Sequence, residues 1–354
     1  MKHILYVKTN PEPFTGLDRY EEALSEHHHI HVVNFASRDQ IPSENVSSHG
    51  VTDLNIPAYL RLVLNLLFFP EKEKIDIVFS SHREWVYGVL NVLFATVHGK
   101  DSVVCMAGNI FNSYKYKRFW LKRQVAWIIN IVVALPLLRH ADKLLPYNSQ
   151  VKRELVERGF EEEKIDVVRL PVDYQAKAKN YEDDSRPEKI SEDKNTAFFA
   201  GTLTKGKGME TFISILQHED IRESYQFILA GKDRDGYGEE ISKYECAEVL
   251  GRIPEEGVYR YYHHSDLFLF PSYSEGFPKV ILEAFTCGLP VVSRDISDID
   301  LLAMETFSQD KELIRLLRGK TYQRHDRALP HEFQKDYVTQ QYLSAIEEID
   351  VPRS

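Results

Sequence analysis

Residues 268–293 read FLFPSYSEGFPKVILEAFTCGLPVVS, and this stretch decides the fold. The apolar run from Leu267 to Phe270, closed by Pro271, predicts a short strand buried on both faces. Ser272 to Phe277 form a polar loop around Gly276. Pro278 suits the first helical position, where its missing N–H costs nothing. Val280, Ile281, Ala284 and Phe285 recur at helical spacing, and Gly288 with Pro290 stops the helix. Val291 and Val292 begin the next strand. The order strand, loop, helix, turn, strand belongs to a parallel α/β sheet.

Such a unit sets a loop and a helix N-terminus at the carboxyl end of the sheet, where open α/β sheets bind ligands. Free backbone N–H groups there favour phosphate oxygens. Glu275 lies in the loop and Glu283 in the second turn of the helix. Phosphate repels a carboxylate, so these two suit hydroxyl groups as hydrogen-bond donors to them. A nucleotide-sugar carries both chemistries: a diphosphate, flanked by a ribose diol and a polyhydroxylated sugar. Either glutamate alone reads equally well as a solvated surface residue. The combination is far more specific.

The pattern E-G-F-P-x-x-x-L-E-A, then C-G-x-P-V-V, resembles the signature of retaining GT-B glycosyltransferases of family 4, also called group 1. The resemblance implies that Glu275 contacts hydroxyls of the donor sugar and Glu283 the ribose. It implies that the N–H groups of Gly276 and Phe277, just before Pro278, approach the sugar or diphosphate. The implied fold is α/β, two Rossmann-like domains facing across a cleft (GT-B).

At 354 residues the chain is too long for one ordinary core, and about two domains are expected. Residues 1–170 hold 21 Lys/Arg against 20 Asp/Glu; residues 171–354 hold 23 against 34. The resulting balance of −10 disfavours general nucleic-acid binding. Cys105, Cys246 and Cys287 are scattered, as suits reduced thiols in a cytoplasmic protein. The N-terminal apolar stretch is too short for a signal peptide and reads as a first strand.

Gly16 follows that strand, in a loop where backbone can approach phosphate. The family places a glycine there against the donor diphosphate; an ordinary turn is the plainer reading. His27, His28, His29 and His31 cluster in sequence, but a contiguous triplet diverges and no Cys or carboxylate accompanies it, so no metal site is expected. An apolar helix is expected over 57–69. The next strand delivers His82 and Arg83 to its carboxyl end, near the expected cleft, where His82 is either catalytic or structural.

From Ser102 to Ala141 there is no acidic residue. The stretch SYKYKRFWLKR interleaves basic and aromatic residues, and a 13-residue apolar run follows, shorter than the ~20 a membrane span needs. Two readings stay open: a buried helix with a basic cap, or a peripheral contact of 114–138 with the inner face of the cytoplasmic membrane.

The stretch IDVVRLPVD resembles the family's segment ending in N-G-V-D, with only Asp173 kept in place. A polar linker is expected over 174–195. Gly201, Gly206 and Lys207 match the G-x-x-x-x-G-K of a P-loop, but Gly208 stands where the magnesium-binding Ser/Thr belongs. The resemblance accounts for the stretch better, with Lys207 as the diphosphate cation. The family's usual Arg is Thr202 here, with Lys205 as its candidate substitute; Arg252 would lie near the base.

The expected organisation is therefore 1–173 as acceptor domain, 196–330 as donor domain, and 331–354 as a helix returning to the first domain. The expected function is retaining, metal-independent transfer from a UDP- or GDP-sugar to a glycan or lipid-linked acceptor, with no cofactor. Glu275, Lys207 and His82 are the catalytic candidates. The alternatives are a non-catalytic nucleotide-sugar-binding relative and a P-loop NTPase.

Overall fold

The computed structural model describes residues 1–7, 19–34, 44–50, 69, 71–82, 85–106, 108, 111, 113–116, 120–182, 185–296, 298–302, 304–322 and 326–350. Gly16, Arg83 and most of the helix expected over 57–69 lie outside them. The chain forms two compact units. One comprises Met1–Phe111, Val125–Val172 and Glu332–Ser354; the other comprises Asn112–Gln124 and Asp173–His331.

In the first unit six strands pair in the order β3-β2-β1-β4-β5-β6, and every pairing is parallel. They are β1 His3–Val7, β2 His29–Asn34, β3 Val46–Gly50, β4 Ile77–His82, β5 Asp101–Met106 and β6 Lys143–Pro146. Central strands such as Ile4-Leu5-Tyr6 and Val103-Val104-Cys105-Met106 are buried throughout, as a sheet covered on both faces requires. The strand order reverses between β1 and β4. His82 is the last residue of β4 and so stands at this reversal.

The helix Lys335–Glu347 belongs to this unit. Its Tyr342 packs edge-on against Tyr20 and donates a 2.9 Å hydrogen bond to the Arg169 carbonyl. Lys335 pairs with Glu22 at 2.6 Å. The basic-aromatic region forms the helix Trp120–Trp127, a π-helix over Ile128–Ala134 and a last turn Leu135–Leu138. Ala134, Leu135 and Leu138 join the core beside Val92, Val104 and Ile165. Among the described residues, no helix is long and apolar enough to cross a membrane.

Of the clustered histidines, His29 and His31 lie on β2, beside His3 of β1. His3 Nδ1 and His31 Nε2 are 2.9 Å apart, and His31 Nδ1 is 3.6 Å from Glu71, a carboxylate the local sequence does not reveal. Among the described residues, no group of three or more His, Cys, Asp or Glu could hold a metal ion.

The second unit repeats the plan in the order β12-β11-β10-β7-β8-β9, again wholly parallel. Its strands are β7 Asn195–Ala200, β8 Tyr225–Ala230, β9 Ala247–Gly251, β10 Leu267–Phe270, β11 Val291–Arg294 and β12 Glu305–Phe307. Phe198, Phe227 and Phe268 fill the core, with Tyr261 stacked on Phe198 at 5.0 Å. Here the order reverses between β7 and β10. The first part of 174–195 is a helix, Tyr174–Asn180, because Asp173 caps it by accepting the Ala176 N–H at 2.8 Å. Tyr174 and Ala178 are buried.

Candidate functional site

Loops leaving the two strands on either side of an order reversal border the crevice in which open parallel sheets bind ligands. In the second unit these are the loop after β7, carrying Lys205 and Lys207, and the loop after β10, carrying Glu275. The first closes in a 3-10 turn, Lys205–Lys207, before the helix Met209–Leu216. The second leads into the helix Lys279–Thr286. Pro278 is the N-cap of that helix, one position earlier than its spacing predicts, with extended backbone.

The ammonium group of Lys207 forms an ion pair with Oε1 of Glu275. The Ser272 hydroxyl donates to the same oxygen at 2.6 Å. The two loops are also joined through backbone, since the Tyr273 N–H donates to the Gly206 carbonyl at 3.0 Å. Lys207 and Glu275 are 26% and 15% exposed, so the pair is shielded yet reachable. A charged pair held in this way is a preformed polar element for a ligand that carries both hydroxyls and anionic oxygens.

Gly208 explains how the loops come so close. Its φ is +80°, and a Cβ there would stand 2.2 Å from the Pro271 carbonyl oxygen. A serine or threonine is therefore excluded at the position where a P-loop needs one, and the match to G-x-x-x-x-G-K carries no P-loop geometry with it.

Lys205 does not join Lys207. It pairs with Glu210 at 2.9 Å, and its N–H donates to Asp235 at 3.1 Å. Gly201 and Gly231 follow β7 and β8, and Gly251 ends β9. A Cβ on Gly231 would come within 1.8 Å of the Gly201 carbonyl oxygen, so bare backbone lines this part of the carboxyl edge. Exposed Arg252 comes next in the chain.

Glu283 sits deeper. Its side chain is 5% exposed; Tyr262 donates to Oε2 at 3.1 Å and Lys279 lies 3.3 Å from Oε1. Burial pushes the Tyr262 phenol well above its usual range, and the Glu283 charge adds to this, so Tyr262 remains a donor. Gly276, Phe277 and Pro278 are buried between the two glutamates. His82 and the segment of Gly16 belong to the first unit.

Sequence reasoning missed Arg294, the last residue of β11. Its guanidinium lies 4.3 Å from the Tyr273 ring and 4.9 Å from that of Phe307. It donates to the Pro271 and Ser308 carbonyls at 3.2 and 2.9 Å, to Thr211 at 2.9 Å and to Asp310 at 3.1 Å. One buried cation thus fastens the Glu275 loop to the helix that follows Lys207. No local pattern reveals it, because its partners Pro271, in the loop, and Thr211, in the helix, lie 23 and 83 residues away.

Residues 180–301 match the family described as Glycosyl transferases group 1. A Bacillus subtilis protein named as a teichuronic acid biosynthesis glycosyltransferase is 24% identical over 214 residues, covering 58% of this chain and 48% of that protein. The amylovoran biosynthesis glycosyltransferase AmsK of Erwinia amylovora is 26% identical, covering 46% of this chain and 42% of its own length. The chain therefore spans about half the length of these curated relatives. Anabaena HepE, solved in complex with UDP and glucose, superposes with a TM-score of 0.71 at 17% identity, covering 98% of this chain and 100% of that one. Sucrose-phosphate synthase from Thermosynechococcus elongatus gives 0.74 at 15% identity, covering 99% of each chain. The 180–301 segment thus resembles the group 1 glycosyltransferases, and the two six-stranded parallel sheets share the GT-B fold of these solved structures.

Proposed function

We propose that the protein transfers a sugar, with retention of anomeric configuration, from a UDP- or GDP-sugar to a hydroxyl of a glycan or lipid-linked glycan. The observation that carries this reading is the Lys207–Glu275 pair at the strand-order reversal, inside the family segment. Glu275 accepts hydrogen bonds from the sugar's hydroxyls, and Lys207 offsets the charge that develops on the departing diphosphate. The N–H groups of Gly276 and Phe277, ahead of the helix Lys279–Thr286, face the sugar or diphosphate. Arg252 approaches the base. Buried Glu283 serves the ribose through Oε1, the oxygen that Lys279 also approaches, while Tyr262 holds Oε2.

In this reading the bond from the anomeric carbon to the diphosphate breaks as the bond to the acceptor oxygen forms on the same face. The acceptor's proton passes to the departing phosphate oxygen, so neither an enzymatic nucleophile nor a metal is required. Gly16 as a donor-binding residue and His82 as a catalytic residue belong to the same proposal. Residues 1–173 then serve the acceptor and 196–330 the donor, with 331–354 returning to the first domain. HepE has also been solved with UDP-glucose, which favours uridine among the two bases. Contact of 114–138 with a membrane surface would suit a lipid-linked acceptor.

Glu275→Ala tests the assignment: transfer should be abolished while nucleotide binding stays largely intact. Full activity in that variant would remove Glu275 from the mechanism.

A further inference from the structure

Both glutamates of the 275–283 motif are paired with a lysine. Lys207 holds Oε1 of Glu275, and the ammonium of Lys279 lies 3.3 Å from Oε1 of Glu283. The second pair is built unevenly. Tyr262, fully buried, donates to Oε2 of Glu283 at 3.1 Å and ties that oxygen to the core. Oε1 meets Lys279, which is 47% exposed, and among the described residues Glu283 is the one carboxylate partner of that lysine. One end of the carboxylate is therefore fixed, and the other is covered by a group that can move.

Local rules argue against a lysine at this position. Lys279 is the first residue of the helix Lys279–Thr286, whose first turn carries no acidic residue. The helix dipole makes that end positive, which favours anions and opposes a cation. A lysine four residues ahead of a glutamate is also the weaker orientation of such a pair, and a half-exposed ion pair adds little stability. Lys279 thus carries two local penalties with little structural return, a conflict of the kind found at functional positions. A positive helix end that also bears an ammonium group is complementary to phosphate oxygens.

In a nucleoside diphosphate sugar the diphosphate lies between the sugar and the ribose. We infer that Lys279 is a second diphosphate cation, and that it exchanges partners when the nucleotide binds. Its ammonium leaves Oε1 of Glu283 for the phosphate next to the ribose, and a ribose hydroxyl donates to the oxygen so uncovered. The flexible stem of lysine permits the move, and the incoming hydroxyl keeps the buried carboxylate hydrogen-bonded. Phosphate and ribose then bind cooperatively, since the first draws away the group that covers the acceptor of the second. A nucleoside, which has no phosphate, meets a covered Oε1. The inference rests on the donor reading above and adds to it a binding residue and a coupling between the two halves of the nucleotide.

Binding of UDP and uridine, and of GDP and guanosine, to the full chain tests it by ligand-observed NMR, with Lys279→Met and Lys279→Arg beside the wild type. Lys279 is half-exposed, so neither change should move the thermal midpoint measured without nucleotide. Lys279→Met should weaken the nucleotide that the wild type binds by ~10-fold or more, the loss of one charge-assisted hydrogen bond. The nucleoside of the same base should bind this variant as tightly as the wild type or more tightly, because Oε1 is no longer covered. Lys279→Arg should restore the nucleotide affinity. An unchanged nucleotide affinity in Lys279→Met would overturn the inference. Parallel losses for nucleotide and nucleoside would also overturn it, and would make Lys279 a support for Glu283 alone. Both of these results leave the donor reading standing, because the wild type still binds UDP or GDP; a wild type that binds neither would remove that reading and this inference with it.

Discussion

A Cβ on Gly208 would stand 2.2 Å from the carbonyl oxygen of Pro271, so the turn that carries Lys207 and the loop that carries Glu275 meet backbone to backbone. The ion pair above them depends on that approach. Tyr273 and Ser272 reinforce it through the Gly206 carbonyl, at 3.0 and 3.2 Å.

Gly208→Ser would complete the formal G-x-x-x-x-G-K-S of a P-loop. The structure predicts damage instead. The positive φ alone costs a non-glycine residue about 1–3 kcal/mol, and the clash with Pro271 adds to it. A lowered melting midpoint with no magnesium-dependent ATP hydrolysis is expected. Gain of such hydrolysis would contradict this account of the turn.

Arg294 is a positioning residue. Arg294→Met keeps the side-chain stem but removes four donated hydrogen bonds and leaves Asp310 without this cation. A loss on the order of 2–3 kcal/mol in stability is expected, read by denaturant titration. Arg294→Lys restores charge but not the fork. It should recover part of the stability while kcat stays depressed more than KM rises.

Glu283 and Glu275 should separate experimentally, although both belong to one motif. Tyr262→Phe removes the hydroxyl that donates to Glu283 and leaves the core ring in place. Stability should fall by about 1 kcal/mol. Donor KM should rise with little change in kcat, the reverse of the Glu275→Ala pattern.

Three histidines give the pH dependence. His28, His29 and His263 are each held below the ordinary histidine range, first of all by burial. Neighbouring cations lower His28 further, and His3 lowers His29. Glu182 and the Ala178 carbonyl partly oppose the shift at His263. A group depressed in the native state takes up protons on unfolding, so its contribution is intact above about pH 6.5 and drains away as pH falls from there. The melting midpoint should be lower at pH 5.5 than at 7.5. An unchanged midpoint would contradict it.

The parts of this molecule legible in its sequence are those that depend on neighbours along the chain. Leu267–Phe270, the Glu275 loop and the helix Lys279–Thr286 follow from apolar spacing, Gly288 and Pro290, and the family pattern adds Lys207. Arg294 was hidden, since its meaning depends on Thr211, Pro271 and Asp310, brought together only by the sheet. The divergence of Lys205 from Lys207 was hidden for the same reason, because Glu210 captures it from the following helix. The run over 114–138 left core and surface open as alternatives, and the structure divides it along its length: no described side chain over 120–129 is buried, whereas Asn130, Ala134, Leu135 and Leu138 are. No periodicity rule built on 3.6 residues per turn could have assigned the buried positions across a π-helix.

The central claim is that Lys207 and Glu275 form part of a metal-independent site for a nucleoside diphosphate sugar. Thermal unfolding with UDP, GDP, ADP and CMP, each with and without EDTA, tests it most directly, with Lys207→Ala alongside. A nucleotide at one hundred times its dissociation constant adds about 2.7 kcal/mol, several degrees in the midpoint. The account predicts a shift with UDP or GDP that survives EDTA and shrinks in Lys207→Ala. A shift confined to ADP with magnesium, or no shift with any of the four, would contradict it.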